Sequence, residues 1–378
     1  MPWLAAVPLL ISLAYVCWQY YNYACWLRTS SATPQAVPPP LPTVAIVVPF
    51  RNEAARLPDL VKDLLAQDYP PDRFEIILVD DFSTDGGAAG ALFSHEKLTL
   101  LRLADDPPSP GTVAFKKAAL GMGISRTTAE VIVTTDADCR WPRETLTLLG
   151  RAFGQGSDVV LGPVFVSPVY DLGTAFQALD LAGFQLFTAA TIAADSPALA
   201  NGAHFAFRRA AFERVGGYAG VDHLPSGDDV LLLHKFAHDE SLKIAVVTDP
   251  AGLVTTAPVR GWRALWWQRL RWAGKAGNYT SPALNLAQVL AFLTSLGIVG
   301  ALVVGLFSPV FLLAGITAWS LKGLVDFVLL RSVCRHYGHE ELMRWYLPVQ
   351  LIYPVYLVAV GSAAVLGIKA GWKDRPPA

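Results

Sequence analysis

Two carboxylates one residue apart, Asp136 and Asp138, fall in the stretch Val131–Trp141 (VIVTTDADCRW). Val131–Val133 is apolar and β-branched, which reads as a buried strand. In an extended chain, residues two apart point the same way. Both acids then lie on one side, just past a strand end, where they repel each other unless a cation sits between them. Hard divalent cations, Mg²⁺ or Mn²⁺, take oxygen ligands and often share them with substrate phosphates. One reading is therefore a metal–diphosphate site. The other is a solvated acidic turn with Asp138 as a cap.

The elements around this stretch place more acids in the same way. Thr43–Pro49 (TVAIVVP) is a continuous apolar run, the pattern of a buried parallel strand, and Glu53 follows it. Phe74–Asp80 (FEIILVD) is the next strand and ends in Asp80-Asp81. Leu98–Leu103, Asp158–Gly162 and Lys243–Thr248 are further strand candidates. Leu57–Gln67, Phe115–Ile124 and Leu172–Ala190 have helical spacing, and the second of these begins with Lys116-Lys117. Strand–helix alternation predicts an α/β fold with a mostly parallel sheet. Ligands of such sheets bind beyond the carboxyl ends of the strands. Glu53, Asp80, Asp81, Asp136 and Asp138 all lie there. Asp228 and Asp229 stand directly before the apolar run Val230–Phe236, where helix capping alone would account for them.

Of the 378 residues, 53% are hydrophobic and 16% charged, too apolar for an ordinary soluble domain. The net charge of -1 gives no basic excess, so nucleic acid is not an expected partner. Cys17, Cys25, Cys139 and Cys334 are scattered, without metal-ligand spacing or a disulfide framework. Residues 1–28 read as a transmembrane anchor with an aromatic belt from Tyr15 to Trp26. Arg28 at its end and Arg51 after it favour a cytoplasmic downstream side. A proline-rich linker occupies residues 29–42 and a cytoplasmic domain residues 43–280. Residues 281–378 form a membrane region with two or three helices. Its apolar runs are Leu284–Leu306, Pro309–Leu330 and Trp345–Ile368, the last interrupted by Pro348 and Pro354. Arg331, Arg335 and Arg344 mark a cytoplasmic loop, and so do Lys369, Lys373 and Arg375 in the tail. Three full crossings cannot satisfy both, so one run is expected to be re-entrant, interfacial or kinked. Asp326 inside an apolar run is costly. Pairing with Lys322, four residues earlier, is its expected resolution.

Gly261–Trp272 (GWRALWWQRLRW) holds four Trp and three Arg in twelve residues. It reads as an interfacial helix near residues 261–275. It can also set Arg271 against a phosphate and Trp272 under a sugar ring.

Taken in order, Val48–Glu53, Leu78–Asp85, Lys116–Leu120, Asp136-Ala137-Asp138, Gly227-Asp228-Asp229 and Gln268–Trp272 resemble the membrane-bound family 2 glycosyltransferases with their D, D, D, QxxRW pattern. That group includes ceramide glucosyltransferase and the cellulose, chitin and hyaluronan synthases. The resemblance implies a GT-A type nucleotide-sugar-binding domain flanked by transmembrane helices, in an integral protein of the cell (inner) membrane. It implies that Pro49, Glu53, Asp80, Asp81 and Lys116 bind the nucleotide. It makes Asp136 and Asp138 the DxD pair, with Asp138 the main metal ligand and Asp136 at the metal or the ribose. It makes Asp229 the catalytic base and sets Gln268, Arg271 and Trp272 over the diphosphate and the acceptor end. The implied partners are a nucleotide sugar, a UDP-sugar first, a divalent cation and a lipid or glycan acceptor. Phe115 and Gly121 replace the group's usual glycine and asparagine, and Asp228 stands where glutamate is commoner. The expected reaction is inverting, metal-dependent transfer to a hydroxyl at the membrane. Its rivals are a processive polysaccharide synthase, a membrane transporter and a catalytically inactive scaffold.

Overall fold

A computed structural model describes residues 2–30, 40–87, 94–109, 112–224 and 226–368. Most of the proline-rich linker (31–39) and the basic tail (369–378) lie outside the described residues. In chain order the elements begin with α1 (Ala6–Ser30), β1 (Val44–Phe50), α2 (Leu57–Leu65), β2 (Phe74–Asp80), β3 (Leu98–Arg102) and α3 (Phe115–Ser125). Next come β4 (Val131–Thr134), β5 (Cys139–Arg140), α4 (Thr145–Gly154), β6 (Val159–Leu161), β7 (Val164–Val166) and α5 (Leu172–Ala193). Then follow β8 (Phe205–Arg208), α6 (Arg209–Arg214), α7 (Val230–Ala237), β9 (Ile244–Val246) and β10 (Val254–Thr256). The helices α8 (Trp262–Ala273), α9 (Pro282–Gly305), α10 (Pro309–His336) and α11 (Tyr346–Val365) complete the series.

The chain divides into two units. One holds Met1–Ser30, Pro168–Ala198 and Pro258–Ala378; the other holds Ser31–Ser167 and Leu199–Ala257. Residues 168–198, expected within the 43–280 domain, thus group with the long apolar helices.

The unit that contains Asp136 and Asp138 is built on a seven-stranded sheet in the order β3-β2-β1-β4-β8-β6-β9. All seven residues of β1 are buried, as a two-faced parallel strand requires. Its neighbours β2 and β4 run parallel to it, and β3 runs parallel to β2. Only β8 is reversed, lying antiparallel to β4 and β6. Register pairs Phe50 with Asp80 and Val47 with Thr134, so the loops that carry Glu53, Asp81 and Asp136 leave from one edge. Gly123 lets α3 press onto this sheet. A Cβ there would fall 2.5 Å from Val47 Cγ1 and 3.2 Å from Val79 Cγ2. A second sheet, β5-β10-β7, has strands of two and three residues, too short for periodicity to reveal in the sequence.

In the other unit, four helices are long and apolar enough to cross a membrane: Trp3–Thr29, Pro282–Gly305, Pro309–His336 and Glu340–Val365. Leu313, Leu324 and Leu347 project from them exposed, an arrangement suited to lipid rather than water. α11 runs unbroken through Pro354. The expected pair between Lys322 and Asp326 forms and is buried. Asp326 Oδ1 also accepts from the Tyr15 hydroxyl at 2.8 Å, and Gln350 Nε2 lies 3.4 Å from Oδ2.

Candidate active site

The loops after β1 and β2 are laced together. Arg51 donates from Nη1 to the carbonyls of Asp81 (2.9 Å) and Phe82 (3.0 Å). Asn52 has a left-handed backbone (φ 53°), and its Oδ1 accepts from the Thr84 N–H at 2.8 Å. Asp80 Oδ1 caps the Ser83 N–H at 2.8 Å, while Asp81 is buried. Phe82 is also left-handed (φ 55°), a conformation that costs a bulky residue energy. Its ring meets Phe115 at the start of α3 edge-on, 6.1 Å between centroids.

Lys116, on the first turn of α3, gathers the acids. Its Nζ lies 2.8 Å from Asp136 Oδ1 and 3.1 Å from Asp228 Oδ2. Burial opposes the ammonium charge, but Asp136, Asp228 and Asp229 together hold its pKa well above the usual lysine value. Asp229 Oδ2 accepts from the Gly202 N–H at 2.9 Å, and its Oδ1 from the Val230 N–H at 2.7 Å. Asp229 therefore caps α7, as the capping argument allowed, and also faces the cluster. Gly202 sits so close that a Cβ would lie 3.2 Å from Lys116 Nζ and 3.3 Å from Asp228 Oδ2. Four sequence candidates thus converge: Lys116, Asp136, Asp228 and Asp229.

Asp138 Oδ1 lies 3.4 Å from Thr256 Oγ1 of β10, and the Asp138 carbonyl accepts from Ala257 N–H at 3.3 Å. Burial, then Asp138 and Asp136, push the neighbouring Cys139 thiol well above its usual pKa, so it stays protonated. Among the described residues, no group of three or more His, Cys, Asp or Glu is set to hold a metal ion. The donors Asp136 and Asp138 are hard oxygens. They fit Mg²⁺ or Mn²⁺ sharing its coordination with phosphates, and do not make a closed protein cage.

Three further residues stand around the site. Lys117 is buried, and its Nζ donates to the carbonyls of Val221 (2.6 Å), Leu224 (2.8 Å) and Ser226 (3.1 Å). It clasps the loop that leads into Gly227-Asp228-Asp229. Tyr218 is buried beside the same acids; burial, then Asp228, raise its hydroxyl well above the usual pKa. His204 is buried over Gly162, where a Cβ would fall 2.0 Å from its ring. Its Nδ1 lies 3.2 Å from the Pro163 carbonyl, which assigns the proton to that nitrogen. Burial lowers its pKa to about 4, so the ring is neutral at neutral pH. Lys117 had a sequence signal in its place beside Lys116, which points it about 100° away around the helix; His204 had one in the segment Asn201–Phe207, which resembles the family's segment near the acceptor; Tyr218 had none.

Gln268, Arg271 and Trp272 lie on α8, in the unit of long apolar helices, and all three are partly buried. The deeply buried member of the motif is Arg269. Its Nη2 is 3.0 Å from Asp180 Oδ2, and its guanidinium carbon lies 4.2 Å from the Trp272 ring centroid. Asp180 Oδ1 accepts from the Tyr353 hydroxyl at 2.9 Å. Gln177 fixes the chain before α8 by two reciprocal 2.9 Å bonds with the Val259 backbone.

The chain has known relatives. The beta-monoglucosyldiacylglycerol synthase of Synechocystis sp. is 26% identical over 258 residues, 65% of this chain and 52% of that protein. The undecaprenyl-phosphate 4-deoxy-4-formamido-L-arabinose transferase of Pseudomonas syringae pv. syringae is 34% identical over 130 residues, 32% of this chain and 36% of that protein. The chain thus spans about half or less of these relatives' lengths. The solved mannosyltransferase PcManGT from Pyrobaculum calidifontis, in complex with GDP-Man and Mn²⁺, aligns over 97% of this chain and 100% of its own. The TM-score is 0.59 at 20% identity, a likeness of fold, and that fold is of GT-A type. The family described as glycosyl transferase family 2 matches residues 45–216. The strand-end acids, the α/β sheet and this match agree: residues 45–216 match a family 2 glycosyltransferase domain.

Proposed function

We propose that this chain transfers a sugar, with inversion, from a nucleoside-diphosphate sugar to a hydroxyl of a lipid at the cytoplasmic face of the cell membrane. The observation that carries this is Asp229. Its carboxylate is oriented by two backbone N–H groups beside the Lys116–Asp136–Asp228 cluster, at the carboxyl edge of the sheet. Both bonds fix the direction of the carboxylate, and a general base must be held toward the proton it takes.

In this reading Pro49, Glu53, Asp80 and Asp81 line the nucleotide, a UDP-sugar first, and Lys116 offers its ammonium to the phosphates. Asp136 and Asp138 hold a divalent cation, which when bound supplies positive charge to the departing diphosphate. Asp229 takes the acceptor's hydroxyl proton as the acceptor oxygen bonds to the anomeric carbon. The bond from that carbon to the diphosphate oxygen breaks on the opposite side, and the configuration inverts. Arg271 is assigned to the diphosphate, Trp272 and Gln268 to the acceptor end, on the strength of their motif. Two relatives are named for a glycosylated diacylglycerol and for undecaprenyl phosphate, which supports a lipid acceptor.

Asp229→Asn tests the base. Transfer should fall by roughly 10²–10⁴-fold with nucleotide binding kept. Near-normal turnover would remove Asp229 from that role. Product analysis with a labelled sugar nucleotide separates one sugar on a lipid from the long glycan of a processive synthase.

A further inference from the structure

We propose that a cavity between the carboxyl-terminal turns of α1 and α10 binds the phosphate-bearing headgroup of an anionic lipid. This rests on reading α1 and α10 as membrane-spanning. The two helices run the same way: Tyr15 meets Asp326 near their middles, and Trp26 Nε1 donates to Ser332 Oγ at 3.1 Å near their ends. Between those ends lies a cavity of about 410 Å³.

Its wall is graded like a lipid. On α10, residues four apart form one face in successive turns. Phe327 and Val328 line the apolar end, Arg331 and Ser332 the next turn, and Arg335 and His336 the last. From Phe327 to Arg335 the rise is roughly 12 Å, enough to pass from hydrocarbon into the headgroup zone. Across from them, α1 contributes Tyr23 and Trp26, side chains with an apolar body and a polar tip. Trp26 is held edge-on against His336, 5.2 Å between centroids.

The charge also fits. Glu340 Oε1 lies 2.8 Å from Arg331 Nε and 3.0 Å from Arg335 Nη2. One carboxylate thus orients two guanidinium groups and neutralises only one of them. Arg331 and Arg335 keep 48% and 62% of their side chains exposed, so their remaining donors can reach a ligand. Planar guanidinium groups match a phosphate in two-pronged fashion.

The test is native mass spectrometry of the full chain in neutral detergent, titrated with phosphatidylglycerol, phosphatidylcholine or inorganic phosphate. Phosphatidylglycerol should be retained in preference to phosphatidylcholine. Arg331→Gln with Arg335→Gln should weaken it about thirtyfold, as expected for two charges near a membrane surface. Adding Glu340→Gln removes the carboxylate left without its guanidinium partners and should leave most of the loss in place. Unaltered phosphatidylglycerol binding in both variants would overturn the proposal. Equal retention of phosphatidylcholine would overturn the headgroup selection, and inorganic phosphate binding as well as the lipid would overturn the lipid source. Release of the chain from membranes by alkaline extraction would instead sink the membrane reading itself, so the two failures are distinguishable.

Discussion

Lys116 and Lys322 are ammonium groups held by carboxylates on opposite plans. Lys322 has 1% of its side chain exposed and one acid, Asp326, whose remaining capacity is taken by Tyr15 and Gln350. Lys116 is 25% exposed and contacts both Asp136 and Asp228, with Asp229 adding to the field. The first arrangement balances its charge internally. The second sets one partly exposed ammonium among three carboxylates, within reach of a ligand from solvent. Access and the number of facing acids separate a site from a strut. By that criterion Asp326 gives little support to a transporter.

The largest effect expected is the loss of transfer in Asp229→Asn, because that acid is the proposed base. Lys322→Met leaves Asp326 buried without its cation and should cost about 3–5 kcal/mol in thermal unfolding. Lys322→Met with Asp326→Leu should recover most of it; an equally unstable double variant would mean that charge balance is not what the pair provides. His204 extends the contrast to a group that burial keeps neutral. The unfolded chain takes up its proton near pH 6.5, whereas the native ring accepts one only near pH 4. Its contribution is therefore complete above pH 6.5 and should decline by up to about 3 kcal/mol as pH falls to 4. His204→Gln should flatten that part of the stability profile; an unchanged slope would place the acid sensitivity elsewhere. The smallest effect is that of Lys116→Met. It should destabilise the protein by about 1–3 kcal/mol in chelator and be rescued by millimolar Mn²⁺. A loss that Mn²⁺ leaves untouched would class Lys116 with Lys322.

Much of the sheet was legible because β1, β2 and β4 are buried, β-branched runs whose ends are marked by acids. The converging acids were legible for the same reason: parallel strands put their carboxyl ends on one edge. The reversal of β8 was not, since its four residues read equally as a loop. Nor was the clasp of Lys117, whose partners lie more than 100 residues away. Asp180 was overlooked although its signal matched that of Asp326, one acid inside an apolar helix. Tyr218, and the burial of His204, became visible only through what packs on them.

The two neighbouring lysines of α3 also set a limit on how this chain can vary. One ammonium joins the acids and the next binds three loop carbonyls, so the helix delivers two unlike services about 100° apart. A one-residue shift of the helix register at Lys116 would turn the pair by about 100°, so that one lysine takes the other's place and the other meets neither set of partners. Substitutions that merely soften α3 are tolerable, whereas a change in its phase is not. Length variation between β3 and α3 is therefore confined to changes that preserve the rotational setting of the helix.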